Sequence, residues 1–73
     1  MMSPITDRVK FANRLCAEMK RARIDVRHLA AVTHIPVFVI ERWRDGQGTP
    51  TPSALAMLGA ALGVPVSRLT DQD

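Results

Sequence analysis

The sequence predicts an all-α fold, a compact domain of four or five helices, and three observations lead to this prediction. Apolar residues recur at the spacing of amphipathic helices, and no alternating strand pattern is present. Glycine, proline and capping side chains divide the chain into segments of about 8–18 residues, the usual length of globular helices. The 73 residues, 47% hydrophobic and 23% charged, suit a single domain spanning 1–73.

The first predicted helix runs from about Ile5 to Ala22. Either Ser3 before Pro4 or Thr6 before Asp7 supplies its N-terminal cap. One broad stripe of the helix is apolar, and the opposite side carries lysine and arginine. The stripe residues expected to reach the core are Ile5, Val9, Phe11, Ala12, Leu15, Cys16, Met19 and Ala22.

The second predicted helix covers Val26–Thr33. Asp25 is placed to cap its N-terminus, because a carboxylate accepts hydrogen bonds from the first free amides of a helix. We expect Leu29, Ala30 and Val32 to face the core.

The third predicted helix begins at Pro36 and runs to about Asp45. Proline disfavours helical backbone in the preceding residue, so the chain must turn at Ile35. Gly46 then ends the helix. Within it we expect Ile40 and Trp43 to point inward, and the outward residues to be Phe38, Glu41, Arg42 and Asp45.

The fourth predicted helix, Pro52–Leu62, lies between a Thr51 cap and Gly63, and a short helix at 65–69 follows. The fourth helix is apolar all round, which is unusual for an exposed helix. Its outer face, on which Gly59 is also expected, therefore predicts a dimerisation region at 52–69. The alternative is that a helix of small residues is simply tolerated at the surface. The expected interface residues are Ala56, Met57, Ala60, Val64 and Val66.

The positive charge is unevenly distributed. Residues 8–27 contain seven cations and two carboxylates, whereas 46–67 contain no charged side chain. Such a distribution favours an anionic partner bound by one face, although scattered solvating arginines would give the same count.

Several classes of function lack support in the sequence. A single cysteine excludes an internal disulfide framework, and His28 and His34 have no third ligand at useful spacing, so we expect no metal. Neither a glycine-rich phosphate loop nor paired carboxylates are present, so we expect no enzyme, no catalytic residue and no cofactor. No apolar run approaches the roughly 20 residues of a membrane span, and 1–7 lack a signal-peptide layout, so we expect an intracellular chain without a membrane partner.

The second and third helices, joined by a short turn, predict a helix-turn-helix unit at about 25–46, whose second helix can enter a DNA major groove. Further anchors extend the pattern across most of the chain. They are Arg14-Leu15, Asp25-x-x-x-Leu29-Ala30, Ile35-x-x-x-x-Ile40-x-x-Trp43-x-x-Gly46, Pro50, and Leu55-x-x-Leu58-x-x-Ala61-Leu62-Gly63-Val64. With these residues, the stretch from Phe11 to Leu69 resembles the Cro/C1 (lambda repressor-like, XRE) helix-turn-helix family.

The resemblance implies a lambda repressor-like DNA-binding domain. It implies a sequence-specific transcription regulator of bacterial or phage origin, in the bacterial cytoplasm or nucleoid, with double-stranded DNA and a second copy of the chain as partners. A repressor on a palindromic operator is the expected form.

The resemblance also implies which residues contact DNA. Its base-reading positions fall on Val37, Phe38 and Arg42, with Glu41 beside them. Its phosphate positions fall on Val26, Asp45, Gln47 and Thr49, although Val37, Phe38 and Val26 stand where the family usually has polar residues. Further residues that could contact the DNA backbone lie near the start of the second helix, and these are Arg14, Arg21, Arg23 and Arg27. His34 and Arg44 are also able to reach phosphate.

Two further hypotheses concern the third helix. Val37, Phe38 and Val39 could instead form an apolar patch for a second protein, which would make the chain an interaction adaptor or an antitoxin-like module. The family commonly pairs an arginine late in helix one with a glutamate after the helix-three aromatic. Those positions hold Met19 and Arg44 here, so we expect Glu18 to pair with Arg44 instead.

Overall fold

The computed structural model describes the backbone of residues 4–70 and the side chains of residues 8–70. Over this part of the chain the secondary structure is entirely helical, which confirms the all-α prediction. The five helices are α1 (Pro4–Ala22), α2 (Val26–Thr33), α3 (Val37–Arg44), α4 (Pro52–Leu62) and α5 (Val66–Thr70). None of these helices is both long and apolar enough to cross a membrane.

The N-terminal caps expected for α2 and α4 are present. Asp25 Oδ1 accepts a hydrogen bond from the His28 amide at 2.8 Å, and Thr51 Oγ1 accepts one from the Ala54 amide at 3.2 Å. The start of α3 differs from the prediction by one residue, because Pro36 has ψ 143° and therefore lies outside the helix as its cap. The short last helix likewise begins one residue later than expected. The expected cap of α1 at Ser3 lies outside the described residues, as do the side chains of Ile5, Thr6 and Asp7.

Four helices end on a residue with left-handed backbone. Gly46 follows α3 with φ 77°, and Gly63 follows α4 with φ 72°. Arg23 follows α1 with φ 58°, and His34 follows α2 with φ 63°. Glycine adopts this conformation easily, whereas a side chain makes it less favourable. The ends of α1 and α2 are therefore each followed by a residue that carries a side chain where glycine would fit better.

The core lies where all five helices meet. Each helix contributes one fully buried aliphatic residue, and these are Leu15, Leu29, Ile40, Leu58 and Leu69. The ring of Phe11 packs edge-on against Trp43 with centroids 6.2 Å apart and thereby joins α1 to α3. Burial of this kind contributes about 1.5–3 kcal/mol for each large side chain.

Several predicted core positions are wrong. Val9 and Val32 are each 52% exposed, and Cys16 is also exposed. The neighbouring helices cover only part of the apolar stripe of α1, so apolar residues at its edges are exposed. On α2 Thr33 is buried together with Leu29 and Ala30, and its hydroxyl donates to the Leu29 carbonyl at 2.7 Å, so the polar group is satisfied inside the core.

Gly59 is buried, although the sequence placed it on the outer face of α4. The chain turns back after α4, and the Val64 amide donates to the Gly59 carbonyl at 3.0 Å. A Cβ atom at Gly59 would lie only 2.8 Å from the Val64 carbonyl oxygen. The small residue thus allows the segment that leads into α5 to pack closely on α4.

Candidate nucleic-acid interface

The outer face of α3 is presented by two buried residues on its inner face. Ile40 is fully buried and Trp43 is 9% exposed, so both hold the helix against the core. On the opposite side Phe38 is 62% exposed and Arg42 is also exposed. These two residues are one helical turn apart, which places their side chains next to each other on one face. The outward orientation predicted for Phe38 and Arg42 is confirmed.

The other two residues expected to read bases are less accessible. Val37 and Glu41 are both half-buried, and Val37 packs against the edge of the core. Val39 is also half-buried against the core. The exposed apolar surface of α3 is therefore Phe38 rather than a patch of three residues.

Most of the residues expected at phosphates are on the surface. Those that are exposed are Arg21, Arg23, Arg27, His34, Arg44, Asp45, Gln47 and Thr49, whereas Arg14 is half-buried. Val26 is half-buried and packs against the core, so its side chain is part of the fold rather than of a polar surface. Nε of Arg44 lies 3.6 Å from a carboxylate oxygen of Asp45, a neighbouring exposed pair of the kind that contributes little to stability.

The predicted pair between Glu18 and Arg44 is wrong. Glu18 accepts from Arg21 Nε at 2.7 Å and from Arg68 Nε at 3.3 Å, and its side chain is 10% exposed. The reason is that Glu18 faces α5, which supplies Arg68. Arg21 also donates to the Leu62 carbonyl at 3.4 Å, so the cluster connects α1 with the end of α4 as well.

This cluster changes the acidity of Glu18. The hydrogen bond from Arg21 is the largest influence and lowers the pKa of Glu18 below its usual 4.5. Burial acts in the opposite direction, and the hydrogen bond and charge of Arg68 lower the pKa further. The carboxylate is therefore ionised at neutral pH and holds both arginines in place.

An open cavity lies between the end of α1 and the start of α2. Its volume is about 470 Å³, and its lining residues are Met19, Lys20, Arg23, Ile24, Asp25 and His28. Met19 and Ile24 are joined through the backbone, since the Ile24 amide donates to the Met19 carbonyl at 3.0 Å. The lining therefore combines the apolar side chains of Met19 and Ile24 with the nitrogen-bearing side chains of Lys20, Arg23 and His28.

The outer face of α4 and α5 is apolar and largely accessible. Met57 is 40% exposed and Val66 is 38% exposed, while Ala56 and Ala60 are exposed and Val64 is half-buried. Residues 46–67 contain no charged side chain, and the exposed Arg68 of α5 is paired with Glu18. Contact with a second molecule would remove Met57 and Val66 from water.

Sequence reasoning missed two groupings. The spacing of Glu18 and Arg21 is that of an ion pair along one helix and could have been noticed, but nothing local connects either residue to Arg68. The grouping of Lys20 with His28 around the cavity depends on the angle at which α2 leaves α1.

No family model, curated protein or solved structure matches this chain. Among residues 8–70, no group of three or more histidine, cysteine, aspartate or glutamate side chains is close enough to hold a metal ion. The functional interpretation therefore depends on the residues of this chain.

Proposed function

We propose that this chain is a sequence-specific double-stranded DNA-binding transcriptional regulator, a repressor that binds a palindromic operator as a homodimer. The observation that carries this proposal is the exposure of Phe38 and Arg42, side by side on a helix whose other face is buried. An α-helix with its side chains is about 10–12 Å in diameter, and the DNA major groove is about 12 Å wide, so α3 can lie in the groove.

The chemistry of the exposed α3 face suits base edges. Arg42 can donate two hydrogen bonds to guanine O6 and N7, which is the commonest specific contact in the major groove. Phe38 can contact a thymine methyl group, and Glu41 can accept from cytosine N4 or orient Arg42. Each of these contacts distinguishes one base pair from the others.

The charge of the chain supports the same partner. The net charge is +3, and the cations are concentrated at residues 8–27. Arg23 and Arg27 are exposed at the start of α2, beside the helix pair that would enter the groove. Arginines in such positions bind phosphates and set the orientation of the protein without choosing a sequence.

Homodimerisation would use the outer face of α4 and α5. In a two-fold dimer the same patch meets itself, so the uncharged surface around Met57 and Val66 has no like charges to oppose. Two α3 helices on successive major grooves would stand about 34 Å apart. The domain measures 36 × 24 × 21 Å, so this spacing is comparable with its longest dimension.

Selection from random duplex DNA, followed by binding titrations at several salt concentrations, tests this function. We expect enrichment of a palindrome, and log K that falls linearly with log salt by about 0.9 for each phosphate contacted. Failure to enrich any motif, together with equal weak affinity for all duplexes, would exclude a sequence-specific regulator.

A protein-interaction adaptor is the second candidate, and the 62% exposure of Phe38 is the observation that favours it. A large apolar side chain on a solvated helix suits a protein surface as well as a thymine methyl. An antitoxin-like module would combine both activities. The half-burial of Val37 and Val39 leaves this patch small, which is why DNA is the preferred partner.

A further inference from the structure

We propose that the open cavity between α1 and α2 binds a phosphate group through Lys20, Arg23 and His28. These side chains line a space of about 470 Å³ from two different helices and the turn between them. The occupant is a phosphodiester of DNA or the phosphate of a smaller compound; only the DNA source rests on the proposed function.

The cavity cations differ from several arginines elsewhere in the molecule. Arg21 and Arg68 are held by Glu18, and Arg44 lies near Asp45. By contrast, no carboxylate among residues 8–70 lies within ion-pair distance of Lys20, Arg23 or His28. Their charge and donors are therefore available to an anion.

Asp25 is the one carboxylate that lines the cavity. Its Oδ1 accepts the His28 amide hydrogen bond that caps α2, which fixes the carboxylate at the helix end. The lysine and arginine side chains and an imidazole N–H outnumber this carboxylate. The balance at the cavity therefore favours an anion that accepts several hydrogen bonds, as phosphate does.

The backbone of Arg23 supports a role for its side chain. Arg23 has φ 58°, and its amide donates to the Lys20 carbonyl at 3.2 Å, so the residue closes the end of α1 in the left-handed conformation. Glycine occupies the equivalent place after α3 and α4. An arginine where glycine would be more stable is an outlier of the kind that gathers at functional sites.

The shape of the cavity also suits phosphate. The apolar side chains of Met19 and Ile24 in the lining lower the local dielectric beside a bound anion, which strengthens its hydrogen bonds to nearby donors. The cavity is open, so the phosphate can remain attached to a larger molecule. Arg23 offers a planar fork to two oxygens, whereas Lys20 supplies a point charge.

An NMR titration of the whole chain with inorganic phosphate tests the site, with sodium chloride adjusted to keep ionic strength constant. We expect saturable amide shifts confined to Lys20, Arg23 and His28 and their neighbours. Arg23→Gly should reduce the affinity for phosphate several-fold while the protein stays folded, since glycine suits φ 58°. Lys20→Ala should do the same without altering the turn.

Lys10→Ala is the matched control, because Lys10 is an exposed cation of α1 that does not line the cavity. This variant loses the same charge and should keep the saturable shifts. Shifts that rise linearly with phosphate, or that are equal in the wild type, Arg23→Gly and Lys20→Ala, would overturn the phosphate site.

The same titration on the DNA complex identifies the source of the phosphate. If a DNA phosphodiester occupies the cavity, the shifts at Lys20 and Arg23 appear on adding duplex, and inorganic phosphate then adds nothing. If the cavity still responds to phosphate in the complex, the occupant is a smaller phosphate compound. Should the chain bind no duplex at all, the proposed regulator fails, yet saturable shifts would still establish the site.

Discussion

Glu18 of α1 accepts a hydrogen bond from Arg68 of α5 at 3.3 Å, across fifty residues of chain. Arg21 occupies the other carboxylate oxygen at 2.7 Å and reaches the Leu62 carbonyl at the end of α4. One carboxylate thus ties three helices together beside the face proposed for dimerisation. Its ionisation should therefore affect stability.

The first prediction concerns acid. The folded-state pKa of Glu18 lies below its ordinary 4.5, chiefly because of the Arg21 hydrogen bond, so its contribution is complete above about 4.5 and disappears as pH falls through the lower folded value. At pH 7, Glu18→Gln should therefore have a lower melting temperature than the wild type. This difference in melting temperature should become smaller as the pH falls towards 3. Thermal unfolding followed by circular dichroism measures this.

Two controls accompany the acid prediction. Glu41→Gln removes a carboxylate that has no cation within ion-pair distance among the described residues, and its melting temperature should follow the wild-type pH profile. A double-mutant cycle should show coupling between Glu18 and Arg68 and none between Glu18 and Arg44. The opposite pattern of coupling would contradict the structure.

The second prediction concerns the turn between α2 and α3. His34 has φ 63°, where a side chain is strained and glycine is not, so His34→Gly should stabilise the domain by about 1 kcal/mol. Ala31→Gly, an exposed position within α2, should instead destabilise it by about 1 kcal/mol. Urea unfolding of both variants measures the two effects, and a loss of stability in His34→Gly would show that its side chain contributes more than the strain costs.

The third prediction concerns the turn into α5. Alanine normally favours a helix over glycine, but a Cβ at Gly59 would meet the Val64 carbonyl oxygen at 2.8 Å. Gly59→Ala should therefore destabilise the protein by about 1–3 kcal/mol, the usual cost of overpacking. Denaturant unfolding measures the sign of the change in unfolding free energy. Stabilisation by Gly59→Ala would mean that α4 and α5 are not in close contact.

The fourth prediction separates reading of bases from binding of phosphate on one helix. Arg42→Ala should weaken binding to the selected operator by about 1–3 kcal/mol and relax the choice at one base pair. Arg44→Ala removes the same charge but should weaken all duplexes alike and reduce the salt slope by about 0.9. Binding titrations against operator variants measure both, and identical profiles for the two variants would argue against Arg42 as a base reader.

The fifth prediction concerns assembly. Met57 is 40% exposed at the centre of the uncharged face, so Met57→Asp should convert the dimer to a monomer of about 8.1 kDa. Ala17→Asp places the same charge on the exposed side of α1 and should leave the dimer intact. Light scattering after gel filtration gives the masses. An unchanged mass for Met57→Asp would mean that the interface lies elsewhere or that the chain does not dimerise.

Local chemistry explains what the sequence predicted correctly. A carboxylate or hydroxyl before a helix, as at Asp25 and Thr51, acts on amides only a few residues away, and the structure shows both hydrogen bonds. Gly46 and Gly63 end their helices for a reason equally local, their freedom to adopt positive φ. Four of the helix boundaries could therefore be placed from neighbouring residues.

Periodicity predicted the inner and outer faces of α3 but not the width of every buried stripe. Ile40 and Trp43 are buried and Phe38 is exposed, as the spacing indicates. Val32 and Cys16 also have apolar neighbours at helical spacing, yet both are exposed. Whether a residue at the edge of a stripe is covered depends on where the next helix crosses, and spacing along one helix does not contain that information.

Residue patterns alone predict the helical fold, four of the helix boundaries, and the burial of Leu15, Leu29 and Ile40. The pairing of Glu18 with Arg68, the contact of Gly59 with Val64, and the shared cavity of Lys20, Arg23 and His28 follow only from the way the helices pack. The physical reason is the separation along the chain of the residues that interact. Caps and turns depend on atoms a few residues apart, whereas these groupings require the crossing angles of helices that the chain brings together from a distance.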